Sequence, residues 1–353
     1  MAKINLSAFD FDKVQLQAIG ELVWEIMREQ TSAMSFVTIY PDIKTNKEAG
    51  FLGEGGLVGK ASSGCDPEEQ DFTVSTRRIV WEPTDWEVLL NLCYKDLEST
   101  LAATGFKNGL EKPDLTNTEY MNIMVEAIKR ALNKFLWRFI WFNSKTAKNF
   151  SDGGSITDGV DTSYFTLNNG LWNQIITQCT SAPAQHITIA ENSGVSYSAQ
   201  VITPAHAKQL LQDMYFAAPI KLRQLEDKVF YVTQSVYDAY YQSLSDVATA
   251  ALESREDAFI NGRPKLSIFG VDVIAMPDWD EHIINYNNNG TVCSYPNRAL
   301  FTSPRVLGLG LDKAEDFDKL DIWYNKDERK VKTEATGNGD SKLIDPTLFV
   351  AGY

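Results

Sequence analysis

The sequence predicts an α+β fold, in which helices and strands are mixed along the chain without regular βαβ alternation. Short runs of β-branched and aromatic residues between turn residues recur through the second half of the chain, which is typical of strands. One amphipathic segment from Thr118 to Asn143 has the apolar spacing of a single long helix. At 353 residues the chain exceeds the usual size of one hydrophobic core, so two or more packed units are expected.

The first elements predicted are a helix between Asp10 and Gln30 and two strands, "FVTIY" (Phe36–Tyr40) and "FTVSTRRIVWE" (Phe72–Glu82). About thirty residues rich in glycine, serine and acidic side chains separate the two strands. We therefore predict a long hairpin over 36–82. Compact domains seldom keep so long a loop without a use, so its tip is expected to contact a partner.

The hairpin tip contains "GEGGLVGKA" (Gly53–Ala61), which ends like a phosphate-binding loop. In that motif four residues separate a first glycine from the Gly-Lys pair, and a serine or threonine follows the lysine. Here those two positions hold Glu54 and Ala61. The sequence that follows has no apolar period, so it predicts no helix whose N-terminus could hold a phosphate. The stretch is therefore not interpreted as a nucleotide site.

Two helices are predicted next. The first covers "TDWEVLLNLCYKDLEST" (Thr84–Thr100), and the second follows a capping box at Thr116 and Glu119. The second helix spans Thr118–Asn143, about 39 Å at 1.5 Å per residue. Its apolar stripe consists of Met121, Val125, Ile128, Leu132, Phe135, Phe139 and Phe142.

The opposite face of this long helix is basic, with Lys129, Arg130, Lys134 and Arg138. Two interpretations stay open. The stripe is either a solvated face with salt bridges to neighbouring elements or a surface that faces nucleic acid.

The chain changes character at Ser144, where loop-like sequence predicts a boundary. Helices are then predicted at "LNNGLWNQIITQC", from Thr203-Pro204 onward, and at "SVYDAYYQSL". Strands are predicted at "KVFYVT" (Lys228–Thr233), as two strands bent at Gly270 in "KLSIFGVDVIAMP", and at "RALFTSP", "DIWYNKD", "KVKTEAT" and "DPTLFVAGY". The glycine-rich "LGLGLD" (Leu307–Asp312) lacks the third glycine of a dinucleotide fingerprint and is interpreted as an edge strand.

Composition excludes several classes of function. The net charge of −14 opposes a primary role in gripping nucleic acid, which requires a basic surface. The four cysteines lie far apart and indicate neither a zinc site nor a disulfide framework. No secretory signal or membrane span is predicted, so the chain is expected to be soluble and intracellular at synthesis.

The acidic loop "PDWDEH" is the strongest candidate for chemistry, because Asp278, Asp280, Glu281 and His282 could together bind a divalent cation. Acidic loops after strands are common, so no metal, cofactor or catalytic residue is predicted. His186 and His206 are scattered, and His206 is expected to occupy the first turn of a helix in a surface or capping role.

The order of these parts resembles the major capsid proteins of tailed bacteriophages with the Hong Kong 97-type fold. The resemblance depends on the hairpin at 36–82, the long helix, "YFTLNNGLWNQI", "KVFYVTQSVYDAYYQSL", "SIFGVDVIAMPDW" and the closing strands from "RALFTSPRVLGLGLD" to "IDPTLFVAGY". It implies an N-terminal arm (1–35), an extended loop (36–82), a peripheral domain with a spine helix at 118–143 (83–150), an axial domain (151–297) and return strands (298–353).

The resemblance also implies a role and a set of partners. The chain would form pentamers and hexamers of an icosahedral head that encloses double-stranded DNA, with portal and scaffolding proteins as further partners. The short arm implies that any scaffold is a separate protein. In the extended loop, inter-subunit contacts would involve Phe51, Glu54, Leu57 and Lys60. The basic stripe of Arg130, Lys134 and Arg138 would face DNA or form salt bridges.

Two alternatives remain open. An encapsulin-type nanocompartment shares the fold but encloses an enzyme. A metal-dependent hydrolase would use Asp278, Asp280 and His282. Copurifying cargo would separate the first alternative from a capsid, and loss of activity in Asp280→Ala would support the second.

Overall fold

The fold is described from a computed structural model, in residues 32–43, 48–55, 74–93, 131–245, 259–260, 263–264, 266–312, 320–325 and 330–353. The helix predicted between Asp10 and Gln30 and the capping box at Thr116 lie outside these residues, as does the first half of the long helix. None of the helices within the described ranges is long and apolar enough to cross a membrane.

Seven helices are labelled in chain order. They are α1 (Ser32–Ser35), α2 (131–137, continued as a π-helix over Arg138–Phe142), α3 (Leu171–Ser181), α4 (Pro204–Ala217), α5 (Ile220–Gln224), α6 (Gln234–Ser245) and α7 (Pro277–Tyr286).

Fifteen strands are labelled in the same way. They are β1 (Thr38–Tyr40), β2 (Glu48–Gly55), β3 (Val74–Val80), β4 (Thr84–Cys93), β5 (His186–Ile187), β6 (Val229–Val232), β7 (Phe259–Ile260), β8 (Arg263–Pro264), β9 (Leu266–Ile268), β10 (Val271–Ala275), β11 (Ala299–Thr302), β12 (Leu307–Leu311), β13 (Leu320–Asn325), β14 (Lys330–Leu343) and β15 (Val350–Gly352).

The first large sheet is built around the long strand β14, in the order β1-β12-β14-β13 with β4 also paired to β14. β14 runs antiparallel to each of its three partners. The sheet therefore joins a strand from near the start of the described chain to strands from its end. Helix α2 packs on this sheet through Phe135, Phe139 and their neighbours.

The helix predicted at Thr84–Thr100 is wrong over its described part, because residues 84–93 form strand β4. Trp86 is buried and Val88 half-buried, whereas Glu87 and Leu89 are exposed, which is the two-residue alternation of a strand. Ten residues of β4 align with β14, from Thr84↔Gly339 to Cys93↔Lys330. This pairing overrides a local sequence that also fits helical spacing.

The hairpin predicted between Phe36–Tyr40 and Phe72–Glu82 has a different first strand. Residues 38–40 do form a strand, β1, but it pairs in parallel with β12, with Thr38 opposite Gly308. The hairpin consists of β2 and β3, whose antiparallel register places Ala49 opposite Ile79. Three glycines made β2 resemble a loop, since glycine disfavours strands unless a partner strand supports it.

The second large sheet has the order β5-β15-β11-β6-β10-β9 and helices on both faces. Side chains of β6 alternate between the two cores: Val229 and Tyr231 pack with α2, α3 and α7, while Phe230 and Val232 pack with α4 and α6. Because both faces are covered, all four residues of β6 are buried. The strand predicted at Lys228–Thr233 is therefore confirmed as a central strand.

Other predicted elements of this half are confirmed. The Thr203 hydroxyl accepts a hydrogen bond from the His206 amide and caps α4, and Pro204 occupies its first turn. The bend at Gly270 is a two-residue hairpin turn in which Phe269 and Gly270 both have positive φ, 50° and 75°. The predicted helix α3 and the strands β11, β13, β14 and β15 are also present.

The stretch "LGLGLD" was predicted as an edge strand, but β12 lies between β1 and β14. The buried indole of Trp81 lies over this strand. A Cβ atom added to Gly310 would lie 2.8 Å from the Trp81 ring, and one added to Gly308 would lie 3.0 Å from it. The glycines of this motif therefore make room for a tryptophan that follows the hairpin.

Candidate functional surfaces

The hairpin of β2 and β3 carries two of the four residues predicted to contact a neighbouring subunit. Phe51 and Glu54 lie in β2, where Phe51 is opposite Arg77 and a register shift falls between Leu52 and Gly55. Leu57 and Lys60 lie outside the described residues. Within the described part of the chain, β2 and β3 pair only with each other. A two-stranded sheet is marginally stable in water, so this hairpin needs a covering surface.

The base of the hairpin is fixed to the first large sheet by a small apolar cluster of Ile43, Ile79, Trp81 and Ile344. The Glu82 amide also donates a hydrogen bond to the Asp340 carboxylate at 2.9 Å. Burial raises the pKa of Asp340 to about 6. The base of the hairpin is thus anchored to the first large sheet by apolar packing and by this hydrogen bond.

Four predicted apolar residues lie in the described part of the long helix: Leu132, Phe135 and Phe139 are buried, and Phe142 is half-buried. Met121, Val125 and Ile128 lie outside the described residues. Leu136, Trp137, Ile140 and Trp141 are buried as well, so this segment is covered on more than one face. Its last helical residue is Phe142, with Asn143 as the C-cap, within one residue of the predicted end.

Two members of the basic stripe lie in the described chain, and both contact other elements of the protein. The Lys134 ammonium pairs with the Glu281 carboxylate of α7, and this hydrogen bond raises the pKa of Lys134. The Arg138 guanidinium lies over Phe165 at 5.3 Å and near the rings of Phe135 and Tyr164. Burial lowers the pKa of Arg138. Arg130 lies outside the described residues, so the role of the stripe as a whole stays a prediction.

The acidic segment at 277–282 was predicted to be a loop, and this prediction is wrong. It forms the first turns of α7. Pro277 begins the helix, and Asp278 and Asp280 lie in its first turn, where carboxylates are favoured by the exposed amide groups. Asp280 accepts a hydrogen bond from the Gln234 amide at 2.7 Å, and burial raises its pKa to about 6. Burial also raises the pKa of Asp278.

His282, the last residue of this segment, points into the protein. Its ring is stacked on Phe142 with 4.0 Å between centroids, and its Nε2 has no hydrogen-bond partner among the described residues. Burial, with Arg138 and Arg298 nearby, holds the pKa of His282 well below its usual value. The helix thus directs Asp280, Glu281 and His282 to different partners. No group of three His, Cys, Asp or Glu side chains suited to a metal ion occurs in the described residues.

The remaining histidines and cysteines make separate contacts. The His206 ring pairs with the Glu191 carboxylate, and His206 lies in the first turn of α4 as predicted. His186 is stacked on Tyr353. Cys179 and Cys293 are buried and form no disulfide within the described part of the chain, and burial raises the pKa of Cys179 to about 11.

Two surfaces of the second sheet were not identified from the sequence. The first, here called the groove, is a half-open cavity of about 350 Å³ between α6, α7 and the loops at 197–202 and 293–297. Val201 and Ile284 in its wall are 66% and 59% exposed. Two acidic residues, Asp238 and Asp280, also line it.

The second surface, here called the aromatic cluster, consists of Tyr215, Phe216 and Phe269, with Ile220 beside them in sequence. Ring centroids are 4.7 Å apart for Tyr215–Phe269 and 5.3 Å apart for Phe216–Phe269. Phe216 and Ile220 are 62% and 64% exposed. In the sequence, only the Phe-Gly turn indicated this region. The exposure of its side chains depends on tertiary packing, so the sequence did not predict it.

The fold is similar to that of solved phage structures. A chain of the satellite phage P4 procapsid, a structure that includes the size determination (Sid) protein, matches with 13% identity and a TM-score of 0.55, over 94% of this chain and 89% of its own. A chain from Gordonia phage Cozz matches with 11% identity and a TM-score of 0.53, over 92% of this chain and 86% of its own. No protein-family model and no curated protein sequence matches. The similarity confirms the predicted α+β fold of the Hong Kong 97 type.

Proposed function

We propose that this chain is a major capsid protein, a structural subunit that self-assembles through pentamers and hexamers into an icosahedral phage head. The observation that carries the proposal is the shared fold with the P4 procapsid chain, which extends over nearly the whole length of both chains. The protein acts in the virion, after assembly in the host cytoplasm.

The hairpin supports this role. A sheet of two strands gains too little buried surface to be stable alone, and among the described strands β2 and β3 have no further partner. In a shell, the neighbouring subunit covers such a hairpin. We assign the extended loop to residues 48–80, with Phe51, Glu54, Leu57 and Lys60 as contacts to that subunit.

The remaining parts of the chain are assigned by analogy with the order of parts in capsid proteins of the Hong Kong 97 type. The first large sheet and α2 form the peripheral domain, and the second sheet with α3 to α7 forms the axial domain. Because the two sheets share the core between α2, α3 and α7, they would move together during assembly. Residues 1–35 form the arm, and portal and scaffolding proteins are proposed as further partners.

The charge of the chain suits a container for DNA. With a net charge of −14, the subunit lacks the excess of basic residues that non-specific DNA binding requires. Lys134 pairs with Glu281, which supports the salt-bridge alternative for this residue, whereas Arg138 lies among aromatic rings of the same chain. We propose that the head encloses double-stranded DNA without sequence-specific contacts and that the subunit has no catalytic role.

The test is assembly of the purified full chain, measured by light scattering and negative-stain microscopy. We expect rings of five or six, tubes or closed shells. A matched variant replaces residues 56–73 by Asn-Gly, which closes a two-residue hairpin turn. We expect this variant to fold and to assemble poorly. A chain that stays monomeric with and without its coexpressed scaffold would contradict the proposal, and particles filled with a protein cargo would favour a nanocompartment instead.

A further inference from the structure

The groove and the aromatic cluster lie at opposite ends of the second large sheet. The turn at Phe269 precedes β10, which is parallel to β6 with Asp272 opposite Val229, so the aromatic cluster lies at the N-terminal end of β6. The groove is lined by Ser235 and Asp238 of α6, which begins just beyond the C-terminal end of β6.

Helix α4 connects the two ends. Ile202, just before α4, lines the groove, and Tyr215 near the end of α4 belongs to the aromatic cluster. The 14 residues of α4 extend about 21 Å at 1.5 Å per residue. One subunit therefore presents a recess at one end of this layer and an exposed apolar projection at the other.

The two surfaces are complementary in chemistry. The groove combines exposed apolar side chains with the carboxylates of Asp238 and Asp280. The aromatic cluster combines exposed apolar side chains with a cation, since the Arg223 guanidinium lies 6.0 Å from the centre of the Tyr215 ring. A recess with negative charge fits a projection with positive charge.

The backbone of the cluster is strained in a way that keeps it exposed. Phe269 has a φ of 50°, a conformation that bulky residues rarely adopt. This turn holds its ring against Phe216 at the surface and away from the core. Strain of this kind is concentrated at functional positions.

We propose that the aromatic cluster of one subunit docks into the groove of a second copy of this chain. This inference rests on the proposed function and names the surfaces through which subunits join. Because the two surfaces differ and lie at opposite ends, the contact is head-to-tail, and successive copies generate a closed ring when the rotation between neighbours closes. Arg223 of one copy would face Asp238 of the next.

The first test uses one substitution on each surface. Phe216→Glu and Val201→Glu change exposed side chains, so both variants are expected to keep the circular dichroism and thermal unfolding of the unaltered chain. We expect each to lower the yield of assemblies at least tenfold. Val195→Glu is the matched control, since Val195 is exposed but does not line the groove, and it is expected to assemble normally.

The second test mixes the two defective variants. Phe216→Glu keeps an intact groove, and Val201→Glu keeps an intact aromatic cluster. In the mixture, the cluster of a Val201→Glu copy can therefore dock into the groove of a Phe216→Glu copy, but neither of their other surfaces can form a contact. We expect heterodimers and no rings, measured by light scattering coupled to size-exclusion chromatography. A mixture that stays monomeric overturns the head-to-tail contact.

The third test exchanges charges. Arg223→Asp and Asp238→Arg are each expected to reduce assembly, and the double variant is expected to restore it, because the pair is re-formed with its signs reversed. No recovery would show that these residues do not face each other. Normal assembly of Phe216→Glu and Val201→Glu overturns this inference and leaves the proposed function intact, whereas an unaltered chain that never assembles overturns both.

Discussion

Asn143 donates a hydrogen bond from its side-chain Nδ2 to Oδ1 of Asn168 at 2.8 Å, and both side chains are fully buried. Nδ2 of Asn168 donates in turn to the carbonyl oxygen of Phe139 and to the hydroxyl of Ser341, each at 3.0 Å. The network joins the end of α2 to β14 of the first large sheet. Two buried amides thus fix the position of the long helix on the sheet.

Removal of the Asn168 side-chain amide should destabilise the folded protein. We expect Asn168→Ala to lower the free energy of unfolding by about 2–4 kcal/mol, because it leaves several buried polar groups without partners. Chemical denaturation followed by tryptophan fluorescence measures the change. Asn285→Ala, at an exposed position of α7, is the control and should alter stability by less than about 0.5 kcal/mol. Equal effects of the two substitutions would contradict the role given to the network.

Asp340 should make the protein less stable as the pH rises from about 4 to 6. Burial raises its folded-state pKa to about 6, above the value of 3.8 for an exposed aspartate, so the folded state binds the proton more tightly. We expect Asp340→Asn, which keeps an acceptor for the Glu82 amide, to raise stability at pH 7 by about 1–3 kcal/mol. At pH 4 the variant and the parent should have similar stability.

Urea unfolding at pH 4 and pH 7 measures this difference. If Asp340→Asn were less stable than the parent at pH 7, the carboxylate would be contributing favourable interactions that outweigh the cost of its burial.

His282 should have the opposite pH dependence. Burial and the nearby Arg138 and Arg298 hold its folded-state pKa below the ordinary value of 6.5. The unfolded state therefore binds the proton more tightly, and the folded protein loses stability as the pH falls. Each pH unit below about 6.5 should cost about 1.4 kcal/mol until the histidine is protonated or the structure opens. We expect His282→Phe, which keeps a ring against Phe142, to remove this acid sensitivity.

The comparison requires unfolding curves of parent and variant at pH 7.5 and 5.5. A loss of stability between the two pH values that is the same in both proteins would show that His282 does not cause it.

Gly310 should not tolerate a side chain, because its added Cβ would lie 2.8 Å from the Trp81 ring and 3.2 Å from Ile43. We expect Gly310→Ala to lower stability by about 1–3 kcal/mol. In a Trp81→Ala background the same substitution should cost much less, since the space is then free. Thermal unfolding of the four proteins forms a double-mutant cycle, and additive effects would show that the two positions do not interact.

The local sequence was sufficient to predict a helix or strand where the local sequence and the tertiary structure favour the same element. Thr203-Pro204 carries its own cap, and Lys228–Thr233 is apolar on both faces because both faces are buried. It was insufficient at Thr84–Cys93 and Glu48–Gly55. The first segment fits both helix and strand spacing, and the glycines of the second resemble a loop until β3 lies beside them.

The candidate surfaces depended still more on the tertiary structure. Tyr215 and Phe269 are more than fifty residues apart and meet only because α4 lies over the sheet that carries the β9–β10 turn. Asp280 was identified as a candidate ligand from its acidic neighbours, but the fold directs it to the Gln234 amide. Sequence patterns locate charged and aromatic residues, whereas their exposure and partners follow from long-range packing.

The parallel pairing of β1 with β12 has a consequence for the order of events during synthesis. Thr38 and Gly308 are separated by about 270 residues, so β1 cannot reach its partner until the chain as far as β12 has left the ribosome. At about 5–20 residues per second, that delay lasts roughly 15–50 s. The strand just before the hairpin therefore stays without this partner while the whole intervening chain is made, although β1 is among the first described elements to be synthesised.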